Sequence, residues 1–315
     1  MTDDITATKP LSLADARKTT GLVVMVLTTV ALAGNNVLIP LAYGHGATPT
    51  ALLLVRYFVL IAGLLTAMLL LGKPIRLQRR YFGHAVAAGC LSCIGSLGLI
   101  TAYGMIPVSL ALLILYLYPI LTAILQSLIE RTPVSLAQFA CLLAAFAGLG
   151  IALGVGGEGF AHGFNLAGVL CAFGAAFGFA GFFVWSRYGL AGAEPGATTL
   201  FTSLAGAGLG VAAAAAFNVA GLVPFHAPGL GDGPGWMAML GVSAGFSLAY
   251  FGMSWGVQLI GATPATMLMN LETVFTMPLA VVILGEALDT RRLVGAGFVL
   301  AAVVASQWLA AQRPN

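Results

Sequence analysis

The sequence predicts an all-α membrane protein: ten transmembrane helices arranged as two inverted-topology repeats of five. Three observations carry that expectation: an extreme composition, the spacing of the apolar runs, and a weak correspondence between the two halves of the chain.

Of the 315 residues, 60% are hydrophobic and only 7% are charged, whereas soluble domains carry about a quarter of charged residues. A water-soluble fold has no place to hide that much apolar surface. A spanning helix takes roughly 20 apolar residues, so the length divides into about ten spans and leaves no room for a second domain. The 41 glycines exceed the usual share of about 7%. They recur in Gly-x-x-x-Gly spacing at Gly150/Gly154, Gly174/Gly178, Gly206/Gly210 and Gly252/Gly256, where small residues let helix backbones approach closely.

Residues 1–19 are polar and read as a cytoplasmic amino-terminal segment, followed by an apolar run too long for a signal-peptide core. Breaks at polar, Gly and Pro residues then place spans near Thr20–Tyr43, Pro49–Leu71, Phe82–Tyr103, Pro107–Ile129 and Val134–Leu153. A second set falls near Leu166–Trp185, Gly196–Val219, Trp236–Leu259, Pro264–Leu284 and Leu293–Leu309. With the amino terminus inside, Lys9, Arg17, Lys18, Lys73, Arg76, Arg79, Arg80, Arg131, Arg187 and Arg313 are all cytoplasmic, and only Arg291 and Arg292 lie outside. The positive-inside rule therefore puts both termini in the cytoplasm of a bacterial-type inner membrane. The basic residues suit lipid headgroups, and no nucleic-acid partner is expected.

Residues 20–154 and 165–310 form the two repeats. Ala33-Gly34-Asn35-Asn36-Val37 lines up with Ala180-Gly181-Phe182-Phe183-Val184, and Ser109 to Glu130 lines up with Ala265 to Glu286. Because each unit has an odd number of spans, its second copy is inverted, as in many transporters.

Three further features resemble the EamA-type exporters of the drug/metabolite transporter superfamily. They are Arg56 early in the second span, the run Ala102-Tyr103-Gly104-Met105-Ile106-Pro107-Val108-Ser109, and Leu284-Gly285-Glu286-Ala287-Leu288 followed by Gly295-Ala296. The first half departs from the pattern at Ser127-Leu128-Ile129-Glu130, which lacks a Leu-Gly pair before its glutamate. The resemblance implies a secondary transporter with a central cavity opened alternately to either side. It also implies export of small neutral or zwitterionic metabolites, amino acids foremost, the general character being that of the amino-acid and metabolite exporters, including the aromatic amino-acid exporter group. No cofactor is implied, and a monomer suffices.

Charged groups at mid-membrane depth are costly and usually functional, and only Arg56 and Glu272 qualify. At a rise of 1.5 Å per residue their depths differ by about 5 Å, which permits a direct ion pair or a shared polar site. The repeat offset sets Tyr116 against Glu272 and Ile114 against Asn270. The expected substrate-binding residues are thus Asn35, Asn36, Arg56, Tyr103, Tyr116, Trp185, Tyr250, Asn270 and Glu272. A few polar groups among aromatics suit a small amphipathic ligand, although amides also bond between helices and Trp and Tyr also anchor at interfaces. Trp255 and Gln258 lie near a span end and fit either role. Pro119 and Pro278 are placed to kink their spans.

An uncoupled channel or facilitator is the first alternative. An intramembrane enzyme is the weaker one: Gly241-Val242-Ser243-Ala244-Gly245 has the nucleophile pattern but falls in an apolar helix rather than a strand-to-helix elbow. Cys90-Leu91-Ser92-Cys93 has redox spacing without the soluble fold that motif needs. No phosphate-binding Gly-x-x-x-x-Gly-Lys-Ser/Thr loop is present, and no metal site is expected.

Overall fold

A computed structural model describes residues 13–131, 136–153, 165–219, 225–260, 268–269, 271–286 and 290–311. Within them every regular element is helical: α1 (Leu13–Gly44), α2 (Pro49–Leu70), α3 (Arg79–Tyr103), α4 (Val108–Leu115), α5 (Tyr118–Ile129), α6 (Leu136–Leu153), α7 (Leu166–Gly189), α8 (Pro195–Val219), α9 (Gly233–Ile260), α10 (Leu271–Leu284) and α11 (Thr290–Ala311). Seven helical stretches are long and apolar enough to cross a bilayer: those of α1, α2, α3, α7, α8 and α9, and the Leu110–Ile129 stretch that joins α4 to α5. The protein is a multi-pass membrane protein. Among the described residues α6 and α11 carry shorter apolar windows. Gly154 and Asn270 fall outside the described residues, as do the side chains of Arg17, Lys18 and Gln258.

Two expected spans differ in detail. α1 starts seven residues before Thr20, because the polar lead-in continues the helix rather than breaking it. The fourth span, expected unbroken over Pro107–Ile129, is interrupted at Tyr116–Leu117. Pro119 explains the break: it has no amide hydrogen to give Leu115, and its ring crowds the carbonyl four residues back. Pro278 lies within α10 and Pro40 within α1 without interrupting either.

Successive helices run in alternate directions, as their end contacts show. At one end, which we call the His45 face, Tyr43 Oη donates to Ile100 O at 2.6 Å, Thr48 N–H donates to His226 O at 3.0 Å, and His45 Nδ1 lies 2.8 Å from Asp232 Oδ2. At the other, the Arg79 face, Tyr81 Oη donates to Ala191 O at 3.1 Å. Asp232 also caps α9 by accepting from Gly235 N–H at 3.0 Å. That amide hydrogen bond, followed by His45, holds the Asp232 carboxyl below the ordinary carboxylate value. A lowered folded-state value means the clasp is intact above the ordinary value and is lost as pH falls through the lowered one. Asp232→Ala, which removes a helix cap, is expected to lower stability slightly, measured as a small downward shift in detergent melting temperature.

Helices from the two halves interleave through small residues. α3 crosses α7 where Gly95 meets Gly178: a Cβ on Gly178 would lie 2.7 Å from Gly95 Cα, and one on Gly98 would lie 2.7 Å from Cys171 O. α1 packs on α9 with Gly256 against Met25, and α3 packs on α8 with Gly89 against Gly206. The Gly-x-x-x-Gly reading holds at these crossings and at Gly210, whereas Gly150 and Gly174 have open space around them. No side chain fits between backbones that close, so Gly178→Leu is expected to fail to assemble, seen as loss of a monodisperse peak in detergent. Gly174→Leu should be tolerated.

Candidate functional site

The site is built from the middle of the bundle, where α1, α2, α7, α9, α10 and the α4–α5 break meet. Glu272, in the first turn of α10, is 6% exposed. Its carboxylate accepts a short hydrogen bond from the Asn36 amide of α1, and the Tyr116 hydroxyl at the α4–α5 break stands within hydrogen-bonding reach. Asn35 Nδ2 in turn donates to Asn36 Oδ1 at 3.2 Å, while its own body packs against Gly245 of α9. The interruption of the fourth span is what leaves Tyr116 at the end of α4, beside α10. Every partner of Glu272 so far named is neutral.

Arg56 of α2 is 4% exposed, and its guanidinium carbon lies 3.9 Å from the centroid of the Phe246 ring on α9. Of the two arrangements that the depths permit, the direct ion pair with Glu272 is not formed: among the described residues Arg56 makes no ion pair, and its Nε has no hydrogen-bond partner. The guanidinium instead lies over the Phe246 ring in a cation–π contact, which leaves its N–H groups available, and Glu272 is already engaged by Asn36. Tyr103 of α3 and Tyr43 of α1 complete the surroundings. Tyr103 is buried within electrostatic reach of Arg56, Glu272 and Glu286.

An arc of aromatic rings joins the two charges. Tyr57 meets Phe246 edge-on at 6.0 Å, Phe246 meets Tyr250 at 5.5 Å, and Tyr250 meets Phe182 at 6.0 Å. Phe182 meets Phe183 at 5.4 Å, and Phe183 stacks on Tyr118 at 5.3 Å. Tyr118 is within electrostatic reach of Glu272, which closes the arc. Such offset and edge contacts are the favourable geometries for rings.

Of the residues expected from sequence, Asn35, Asn36, Arg56, Tyr103, Tyr116, Tyr250 and Glu272 converge here. Trp185 does not: it is 40% exposed and lies 5.7 Å from the His84 ring toward the Arg79 face, as suits an indole at the membrane interface. Trp255 is likewise exposed beside Phe251. Phe246, Phe182, Phe183 and Tyr118 were not singled out by sequence. The only signal for two of them was the repeat alignment, which sets Phe182-Phe183 opposite Asn35-Asn36.

The motifs of the alternative readings both lie within helices. Ser243 is buried within α9 and donates to Met239 O at 2.8 Å. Cys90 and Cys93 are free thiols. Among the described residues no cluster of His, Cys, Asp or Glu is arranged to hold a metal ion.

Comparison with known proteins adds the decisive observation for the second half. Residues 166–306 match the EamA-like transporter family. The match starts at the first residue of α7 and takes in Tyr250, Glu272 and Glu286. The match covers less than half of the chain and shows that its second half is similar to a family of membrane transporters. A solved crystal structure of a protein 20% identical to this chain covers 93% of it and 99% of its own length, with a TM-score of 0.60. At that identity the likeness shows the fold alone, and it spans both halves of the chain. No curated protein matches the chain.

Proposed function

We propose that the chain exports small zwitterionic metabolites, amino acids foremost, across the inner membrane by alternating access. In this reading ten spans form two inverted repeats, 20–154 and 165–310, with both termini cytoplasmic and Asn270 among the substrate-binding residues. The carrying observation is the chemical asymmetry of the site: Glu272 with neutral partners at one end, Arg56 without a carboxylate at the other, and an aromatic arc between. A substrate carboxylate replaces its lost hydration on the planar guanidinium fork, an ammonium does so on Glu272 and Asn36, and an apolar or aromatic side chain lies on the rings. A permanent charge buried without a partner is expensive, so each end gains from a ligand of opposite charge.

The repeat sharpens this asymmetry. At equivalent positions α1 offers Asn35-Asn36 and α7 offers Phe182-Phe183, so this pair of helices sets a polar face against an aromatic one. Helix pairing supports the two-fold exchange: α1 on α9 is matched by α7 on α3, α2 on α9 by α8 on α3, and α1 on α10 by α7 on α4 and α5. Seven of the proposed spans are long and apolar within the described residues. The remaining three would come from α6, α10 and α11.

Liposomes containing the purified protein test the reading with a panel of radiolabelled amino acids, dipeptides, sugars and amines, with and without a pH step. Saturable uptake of zwitterions with apolar side chains, exceeding that of their amides and of the parent amines, is the expected result. Equal passage of sugars and amines without saturation would favour an uncoupled channel instead.

A further inference from the structure

Two carboxylates end matching segments of the two halves. Glu130 follows α5 and Glu286 follows α10, and each reaches across to the other half at opposite ends of the bundle. On the His45 face, Glu286 Oε1 accepts from Val108 N–H at 2.8 Å. Val108 opens α4 directly after Pro107, which has no amide hydrogen, so this is the first free amide at the positive end of that helix. On the Arg79 face, Glu130 accepts a short hydrogen bond from the Tyr188 hydroxyl of α7 and lies 4.0 Å from Arg187 Nη2. A carboxylate at the carboxyl end of its own helix opposes that helix's dipole. Compensation comes in both cases from the opposite half.

The chain turns sharply beside both carboxylates. Gly285, just before Glu286, has φ 67°, and Arg131, just after Glu130, has φ 52°. The left-handed region is uncommon for a residue with a side chain and is retained where surrounding structure demands it. α4 is moreover held near both ends by α10, through Glu286 at Val108 and through Glu272 near Tyr116.

We infer that Glu286 and Glu130 are the two latches of the transport cycle, one closing each face of the membrane. This rests on the alternating-access reading above. Because each partner belongs to the other half, parting the halves at one face breaks that face's latch and leaves the other made. A ligand ammonium that draws Glu272 from Tyr116 loosens the hold of α10 on α4, which is also the helix that Glu286 grips. These are positioning residues that set which face opens, and they lie at the ends of the bundle rather than at the proposed binding groups.

The test is sided labelling, which needs no transported substrate. Phe182→Cys is placed as a reporter in a chain whose four native cysteines are replaced, and a membrane-impermeant maleimide is applied to vesicles of either orientation. Glu286→Ala should raise labelling from the His45 face about tenfold and lower it from the Arg79 face, the population shift that losing one charge-assisted hydrogen bond predicts. Glu130→Ala should do the reverse. Glu286→Gln, which keeps an uncharged acceptor, should shift labelling in the same direction as Glu286→Ala but less. Labelling that changes equally from both faces, changes on the wrong face, or does not change would overturn the inference and leave two helix-end contacts. Should Glu286→Ala not reach the membrane, Glu286→Gln and Glu130→Ala decide the matter alone. A wild-type protein that transports no amino acid yet shows these shifts would sink the proposed substrate while sparing the latches.

Discussion

Glu272→Ala is expected to lower the uptake of zwitterionic substrate by about two orders of magnitude in kcat/KM while the protein stays folded. Truncating one member of a buried, hydrogen-bonded charge pair typically costs 2–5 kcal/mol or more, and each 1.4 kcal/mol is about tenfold. In the ligand-bound protein that pair is the Glu272 carboxylate and the substrate ammonium. Without ligand, the Asn36 amide loses an acceptor and Tyr116 a neighbour, so melting temperature should drop by only a few degrees. Glu272→Gln separates charge from hydrogen bonding: Asn36 keeps an acceptor oxygen, the ammonium loses its countercharge, and uptake should fall nearly as far as in Glu272→Ala. Uptake that survives in Glu272→Gln would remove the ammonium contact from the reading and leave a packing role for the side chain.

Arg56→Ala should produce a loss of similar size, and the pattern across its variants is the sharper result. Arg56→Lys keeps the charge but loses the planar fork and the stacking on Phe246, so uptake should fall about tenfold rather than hundredfold. The double variant Arg56→Ala with Glu272→Ala should be no more stable than Glu272→Ala alone, because no ion pair joins the two residues. Recovery of stability in the double variant, read as detergent melting temperature, would show that they pair directly after all. Unchanged uptake in all three would take Arg56 out of the site.

What the sequence made visible followed from contrast. Arg56, Asn36 and Glu272 stand out because a charge or an amide in a run of Leu, Ala and Val has few innocent explanations at that depth, and the repeat offset then pointed to Tyr116. Phe246 and Phe182 gave no such contrast. In a chain with 18 phenylalanines one more ring in an apolar helix carries no information until the helices are brought together. The choice between an ion pair and a shared site stayed open for the same reason, since depth along the membrane says nothing about which way a guanidinium turns, and it turned onto a ring that sequence had not singled out. Helix existence was legible from length and hydropathy, whereas the break at Tyr116–Leu117 required weighing Pro119 against an otherwise unbroken apolar run. Trp185 was misplaced because an indole near a span end reads alike whether it faces the lipid or the bundle.

The crossing of α3 and α7 at Gly95 and Gly178 has a mechanical meaning. Backbones in contact cannot slide past one another without a clash, but they can still turn about the point where they touch. Gly178 is the thirteenth residue of the 24 in α7, so the contact sits close to that helix's midpoint, with an arm of about 18 Å on either side at 1.5 Å per residue. A turn of about 15°, the size seen in rigid-body subunit rotations, would carry each helix end through about 5 Å and leave the pivot in place. The two ends move in opposite senses, so one face widens as the other narrows. Under the alternating-access reading proposed above, a pair of glycines with no side chain between them would serve as the fulcrum of a seesaw.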